Sequence, residues 1–151
     1  MTIHHTAVAL CCAALACSAT SHAAVQKVAK TISSTIRVGQ LNRSFMAYIP
    51  ANLPANAPMV LALHGSYGTS ELMRKQTGQS FERLADQQGF VVVYPDGYEK
   101  NWNDCRQGAT YAARQLNIDD IGFMRELIAH FQQSDQVDPK HVYAMGYSSG
   151  G

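Results

Sequence analysis

Charge is scarce in this chain, and its scarcity sets several functional classes aside. Asp, Glu, Lys and Arg make up 15% of the 151 residues and the net charge is +1, whereas about a quarter of the residues of an average domain are charged. The composition therefore gives no support for a basic surface that binds nucleic acid or an anionic membrane. There is no run of 18 apolar residues, so we expect no membrane-spanning helix.

Cysteine is almost absent from the part of the chain that would form a domain. Cys11, Cys12 and Cys17 lie together near the N-terminus, and only Cys105 lies beyond them. Because there is no CxxC pair and no Cys/His cluster with zinc spacing, we expect no metal site. In an exported chain, the single Cys105 indicates either a free thiol or a disulfide to a partner beyond residue 151.

The N-terminal residues 1–23 contain no charged Lys, Arg, Asp or Glu. Residues 6–17 form a short apolar core, and residues 18–23 are small and polar. This pattern is typical of a secretory signal peptide, although two histidines stand where Lys or Arg is usual. We expect cleavage to leave residues 24–151 secreted or periplasmic, with no membrane attachment. An ordinary buried helix and a lipid-modified Cys17 are the two alternatives.

The remaining chain alternates between strand-like and helix-like patterns. An alternating pattern predicts an antiparallel hairpin, and continuous apolar runs after it predict buried strands separated by helices. The predicted strands are 31–38, 43–49, 59–63, 90–94 and 141–145, and the predicted helices are 79–88 and 117–133, the second capped by Asn117. This order predicts an α/β fold with a mainly parallel sheet, which binds ligands at the carboxyl ends of its strands.

The last predicted strand runs directly into Gly146-Tyr147-Ser148-Ser149-Gly150, which matches the pattern G-x-S-x-G. In this pattern a serine lies on a sharp turn between a strand and a helix, and the flanking glycines leave room where the two meet. Ser148 is therefore the predicted nucleophile, with Gly146 and Gly150 supporting the turn. The backbone N–H of Ser149 is a predicted donor to an oxyanion. An ordinary Gly/Ser turn is the alternative.

The loop after the first parallel strand reads His64-Gly65-Ser66. In an architecture of this kind that loop supplies a second oxyanion donor, which we assign to the backbone N–H of Ser66, with Gly65 permitting the bend. His64 is interpreted as structural rather than as a general base because it precedes Ser148 in the chain.

A long polar loop, residues 98–116, follows the next strand and contains the single tryptophan. Loops of this length are usually functional. Two roles stay open for Trp102: it could stack on an aromatic or sugar part of a substrate, or fill a small core inside the loop. For the nearby carboxylates we favour a turn role for Asp96 and a helix-cap role for Asp120 over catalysis.

In combination, these residues resemble one known family. The chain is similar, in the same order from about residue 31 onward, to the secreted poly(3-hydroxybutyrate) depolymerases and feruloyl esterases of the α/β-hydrolase fold. The segments that carry the resemblance are 61–66, 84–86, 89–97, 102–103, 119–123, 137–139, 142–143 and 146–151. One departure is Tyr67, which stands where small residues are common in the family.

The resemblance implies a function, and it implies that part of the catalytic triad lies outside this sequence. It implies ester hydrolysis through an acyl-enzyme on Ser148, without a cofactor, outside the cell. The implied substrates are a hydroxyalkanoate polymer or oligomer, or a hydroxycinnamoyl-carbohydrate ester. In this fold the acidic residue and the histidine of the triad follow the serine. We therefore expect residues 24–151 to be the N-terminal part of a catalytic domain, truncated after the serine turn and inactive alone.

Two other functions remain open at this point. A peptidase of the same fold would carry the same serine turn. A non-catalytic secreted binding module could keep the fold and lose the triad, although the intact serine turn and the glycine loop argue against it.

Overall fold

The computed structural model describes residues 27–135 and 137–151, and a five-stranded mixed sheet runs through them. The predicted signal peptide, including Cys17, lies outside the described residues. The spatial order of the strands is β1-β2-β4-β3-β5. In chain order the strands are β1 (Lys30–Val38), β2 (Leu41–Ile49), β3 (Ala57–Leu63), β4 (Val91–Pro95) and β5 (Val137–Gly146).

Helices connect the parallel strands. They are α1 (Ser70–Gln76), α2 (Ser80–Gln88), α3 (Ala112–Gln115) and α4 (Asp120–Ser134), and a 3-10 turn covers Ser148–Gly150. Among the residues that the structure describes, no helix is both long and apolar enough to cross a bilayer.

The pairing of the strands confirms the predicted α/β architecture. β1 and β2 form an antiparallel hairpin, and β2 pairs antiparallel with β4. β4, β3 and β5 are parallel to one another. The carboxyl ends of these three strands therefore lie at the same edge of the sheet, which is the edge where the candidate residues were predicted to meet.

The central strand β4 is buried on both of its faces. Val91 and Val93 pack on one face with Phe123, Leu127 and Phe131 of α4, which recur at every fourth position of that helix. On the other face, the β4 side chains pack with α1 and α2; this second cluster contains Val92, Tyr94, Ala62, Met73 and Ala85. A strand buried on both faces needs the continuous apolar run that the sequence shows.

Three details differ from the sequence-based predictions. Helix α1 was not predicted; only seven residues long, it buries Met73 and is capped by Thr69, whose hydroxyl accepts the N–H of Leu72 at 3.1 Å. Asn117 does not cap α4, because its left-handed backbone (φ 48°) ends the turn after α3. The cap is Asp119, whose carboxylate accepts the N–H of Gly122 at 2.7 Å.

The third difference concerns the start of β5. Residues 137–140 were predicted as a turn, but Val137 already pairs with Ala57. The register then shifts before Met59 pairs with Val142. Because Pro139 has no N–H to donate, a bulge at this point is the expected solution.

A buried ion pair joins the hairpin to α4. Arg43 is 3% exposed, and its Nη2 donates to Asp120 Oδ1 at 2.7 Å and to the carbonyl of Asp96 at 3.1 Å. The guanidinium lies 4.4 Å from the ring centroid of Phe123. The other oxygen of Asp120 accepts the N–H of Asn103 at 2.7 Å. Asp120 therefore links β2, α4 and the long loop. The predicted helix-cap role of Asp120 was wrong, because its two carboxylate oxygens bind Arg43 and Asn103 while Asp119 caps the helix.

Removing Asp120 should destabilise the protein strongly. In Asp120→Ala the Arg43 guanidinium stays buried without its counter-charge, and breaking such a pair costs about 3–5 kcal/mol. Urea unfolding followed by circular dichroism measures the loss. Glu126→Ala is the matched control because Glu126 lies on the exposed side of the same helix, and we expect it to change the free energy of unfolding by less than about 0.5 kcal/mol. Equal losses in the two variants would contradict a buried pair.

Candidate active site

The predicted serine turn lies at the carboxyl end of β5. The N–H of Tyr147 donates to the carbonyl of Leu63 at 3.1 Å, which keeps the chain in register with β3 beyond the end of the strand. Ser148 follows with a left-handed backbone (φ 54°) and is exposed. This conformation costs about 1–2 kcal/mol in a residue with a side chain, and strain of this kind is concentrated at functional sites.

The glycines around Ser148 are required by close backbone packing. A Cβ atom added to Gly146 would collide with the carbonyl oxygen of Gly150, and one added to Gly150 would lie 2.5 Å from the carbonyl oxygen of His64. Neither position has room for a side chain. Gly146 and Gly150 therefore have the close packing expected of residues that support the turn. Gly150 also brings the turn into contact with the loop that follows β3.

The loop after β3 forms a tight turn from Gly65 to Gly68, closed by a 3.0 Å hydrogen bond from Gly68 N–H to the carbonyl of Gly65. Its Ser66 hydroxyl donates to Ser149 Oγ at 3.0 Å. A Cβ added to Gly65 would lie 3.2 Å from the Cβ of Ser148. The structure thus brings together the residues that the sequence assigned to nucleophile and oxyanion donors.

His64 is a buried structural residue. Its side chain is 1% exposed. Nδ1 lies 2.7 Å from the carbonyl of Gly65, which can only accept, and Nε2 accepts the N–H of Gly97 at 2.9 Å. The ring is therefore neutral with its proton on Nδ1. Burial lowers the pKa of His64, against the opposing effects of the Gly65 hydrogen bond and the carboxylates of Asp96 and Asp120.

Trp102 packs inside the long loop. It is 4% exposed, its indole N–H donates to the carbonyl of His64 at 2.7 Å, and its ring centroid lies 4.8 Å from that of His64. Of the two roles left open for Trp102, these contacts are those of loop core. The predicted substrate contact of Trp102 is not supported, because the described residues leave neither face of its ring open to a substrate.

Asp96 anchors neighbouring elements and does not contact Ser148. Its carboxylate accepts the N–H of Ser70 at 2.6 Å and the hydroxyls of Ser70 and Ser44 at 3.1 and 2.9 Å. It thereby holds the first residue of α1 against β2, which extends the predicted turn role.

Arg106 is a residue of the site that the sequence analysis did not single out. Its guanidinium binds the Asp104 carboxylate through Nε and Nη2, and Nη2 also donates to Ser66 Oγ at 3.2 Å. Hydrogen bonds from Arg106 lower the pKa of Asp104. The Asp-x-Arg spacing could have indicated the ion pair, but nothing in the sequence indicates the contact with Ser66, 40 positions away.

The other described histidines make contacts elsewhere. His130 packs its ring against Phe45 and Phe131, and His141 pairs with Asp138 at 2.6 Å. None of the hydrogen bonds of the histidines in residues 27–135 and 137–151 involves Ser148. Within the same ranges no group of three or more His, Cys, Asp or Glu residues is placed to hold a metal ion. Cys105 is exposed.

Three parallel strands with helices on both faces, and a serine on a strained turn at the carboxyl end of β5, define an α/β-hydrolase. Residues 45–151 match the dienelactone hydrolase family, and the chain belongs to it. The predicted fold class is thereby confirmed.

Curated relatives also confirm the predicted resemblance. The chain is 33% identical over 124 residues to a bifunctional acetylxylan esterase/xylanase of Neocallimastix patriciarum, covering 81% of this chain and 16% of that protein. It is 30% identical to feruloyl esterase B of Thermothelomyces thermophilus (73% and 37%) and 26% identical to poly(3-hydroxyalkanoate) depolymerase C of Paucimonas lemoignei (72% and 26%). The chain therefore spans less than two fifths of the length of each of these relatives.

Solved structures show the same fold. The thermostable carboxylesterase EstE1, cloned from a metagenomic library, superposes with a TM-score of 0.58 at 25% identity, covering 83% of this chain and 40% of that one. The acetyl xylan esterase of Aspergillus awamori superposes with a TM-score of 0.58 at 22% identity, covering 81% and 43%.

The buried neutral His64 should make the protein acid-sensitive. Its folded pKa lies below the ordinary value of 6.5. As the pH falls below that value, the unfolded chain binds a proton that the folded chain excludes. The contribution to stability is therefore complete above about pH 7 and is lost as the pH falls from about 6.5 toward the folded pKa.

Urea unfolding at neutral and mildly acidic pH tests this expectation. His64→Gln should be less stable than the wild type at neutral pH but should lose less stability on acidification. His130→Gln, which changes an exposed histidine that makes no ion pair among the described residues, is the control and should keep the wild-type pH dependence. An unchanged pH dependence in His64→Gln would show that His64 is not the sensitive group.

Proposed function

We propose that this chain belongs to a serine ester hydrolase that acts through an acyl-enzyme on Ser148. The observation that carries the proposal is the left-handed Ser148 at the end of β5, joined to the β3 loop by the Ser66–Ser149 hydrogen bond. The names of the curated relatives, which are esterases and a depolymerase, support ester chemistry.

In the proposed reaction the Ser148 hydroxyl attacks the ester carbonyl. The backbone N–H groups of Ser149 and Ser66 donate to the oxygen that becomes negatively charged, and such donors contribute most where water is excluded. The alcohol leaves, and water then hydrolyses the acyl-enzyme. The general base would be a histidine oriented by a carboxylate. It would come from outside the described residues because the three described histidines are engaged in other contacts.

The proposed substrates follow the relatives. They are a hydroxyalkanoate polymer or oligomer, or a hydroxycinnamoyl-carbohydrate ester, and the reaction needs no cofactor. We further propose that residues 1–23 direct export and are removed, so that the enzyme acts in the periplasm or outside the cell. A net charge of +1 favours an ester over nucleic acid or a membrane as the partner.

Ser148→Ala should abolish ester hydrolysis. Without the nucleophile, kcat should fall by about 10⁴-fold or more. The measurement uses the product of the complete coding sequence with methyl ferulate, hydroxybutyrate oligomers and a peptide amide. Ser134→Ala, which removes an exposed hydroxyl on α4, is the control and should keep wild-type rates.

The same panel separates the other functions. Cleavage of the peptide amide alone would identify a peptidase. Binding of carbohydrate or polymer without any hydrolysis would identify a binding module. Ester hydrolysis that survives in Ser148→Ala would end the assignment of the nucleophile.

Gly65→Ala should slow catalysis with little loss of stability. The added methyl group would lie 3.0 Å from Tyr147 Cδ1 and 3.2 Å from Ser148 Cβ, so it would push the β3 loop away from the serine turn. Because one displaced oxyanion donor costs about 10²–10³ in kcat when fully lost, a partial displacement should lower kcat by about tenfold. Steady-state kinetics with methyl ferulate gives kcat and KM separately.

Gly108→Ala is the matched control, because a Cβ at Gly108 meets nothing within 4 Å. It should leave kcat unchanged. A wild-type kcat in Gly65→Ala would show that the β3 loop does not contribute to catalysis.

A further inference from the structure

Tyr67 occupies an unusual position beside the proposed oxyanion donor. It is the third residue of the Gly65–Gly68 turn, with a left-handed backbone (φ 61°), and its side chain is 69% exposed. A glycine would adopt this backbone without steric cost. Folding alone does not explain why a strained backbone position carries an aromatic ring that is open to water. Such backbone outliers point to function.

The ring of Tyr67 is held in place by the long loop. Its centroid lies 5.6 Å from that of Tyr111, with the two ring planes at 87°. Arg106 lies over Tyr111, with its guanidinium carbon 5.3 Å from the ring centroid. We call Tyr67, Tyr111 and Arg106 the aromatic rim. Since Arg106 also bonds to Ser66, the rim is fixed next to the residue that supplies the proposed donor.

The Arg106 guanidinium already forms an ion pair with Asp104. Asp104 accepts hydrogen bonds from its Nε and Nη2, so the rim does not present an unpaired cation to a substrate. The phenol ring of Tyr67 is 69% exposed, and the Arg106 side chain, although 46% exposed, has its charge paired with Asp104. This favours recognition of a flat, uncharged group over recognition of a carboxylate.

We propose that Tyr67 is a specificity-determining residue that stacks on the planar aromatic group of an ester substrate. The inference rests on the proposed function and chooses between its two substrate classes: hydroxycinnamoyl esters gain a ring-to-ring contact, whereas a short hydroxyalkanoyl ester has no aromatic face to offer. Trp102, the aromatic residue first considered for this role, is buried against His64. The stacking role falls to the exposed ring next to Ser66.

The expected size of the effect is about tenfold in kcat/KM, which corresponds to the upper part of the range measured for aromatic pairs. The contact does not involve the reacting bond, so its loss should raise KM more than it lowers kcat.

Tyr67→Gly tests the inference because glycine suits the left-handed backbone. In the product of the complete coding sequence, kcat/KM for methyl ferulate should fall about tenfold, mainly through KM. The value for methyl 3-hydroxybutyrate should change less than about twofold, since it has no aromatic face to stack. Tyr67→Phe keeps the ring and should keep both values. The melting temperature of Tyr67→Gly should not fall, which separates a recognition role from a structural one.

Binding gives a second readout that does not depend on turnover. In the Ser148→Ala background, Tyr67→Gly should weaken the binding of methyl ferulate about tenfold, measured by calorimetry. An unchanged ratio of kcat/KM between the two esters in Tyr67→Gly would overturn the inference. So would a wild-type preference for methyl 3-hydroxybutyrate. Ester hydrolysis that persists in Ser148→Ala would instead refute the proposed function, so the two failures are distinguishable.

Discussion

The neutral, buried imidazole of His64 makes the hydrogen bonds on which the carboxyl edge of the sheet depends. Its two ring nitrogens bind the backbone of two different loops, at Gly65 and Gly97. Its own carbonyl accepts the indole N–H of Trp102, and Gly150 packs against that same carbonyl. One residue therefore sets the relative positions of the loops after β3, β4 and β5. A protonated ring could not accept the Gly97 N–H, so the arrangement requires the neutral form.

A second network holds the same edge from the side of the hairpin. Arg43 binds Asp120 and the carbonyl of Asp96, while the Asp96 carboxylate holds Ser44 and Ser70. The hairpin is therefore more than an edge extension of the parallel sheet, because it helps to fix the loop that follows β4. Partner groups with good geometry are needed here, since a buried cation without them is strongly destabilising.

The sequence predicted the architecture well because its patterns are local. The five-residue apolar runs of β3 and β4, the helical spacing of Leu127 and Phe131, and the G-x-S-x-G turn each lie within one short segment. The contacts that define the candidate site are not local. Ser66 meets Ser149 across 83 positions and Arg106 across 40, and hydrogen-bond partners at such separations leave no periodic signal. The cap at Asp119 was missed for a smaller reason: Asn117 is an equally good cap by residue type, and only the left-handed backbone excludes it.

The strand order gives the turn at Gly65–Gly68 a particular place. Because β3 lies between β4 and β5, its loop is the middle one of the three and touches both neighbours, the long loop through Arg106 and the serine turn through Ser149. The backbone of this turn is constrained on both sides, but most of the Tyr67 side chain is exposed to solvent. Replacement of that one side chain would therefore change the surface beside the serine turn while the strands and the turn itself stay unchanged. In proteins with this sheet, a single substitution at the position of Tyr67 could therefore start a divergence in substrate preference.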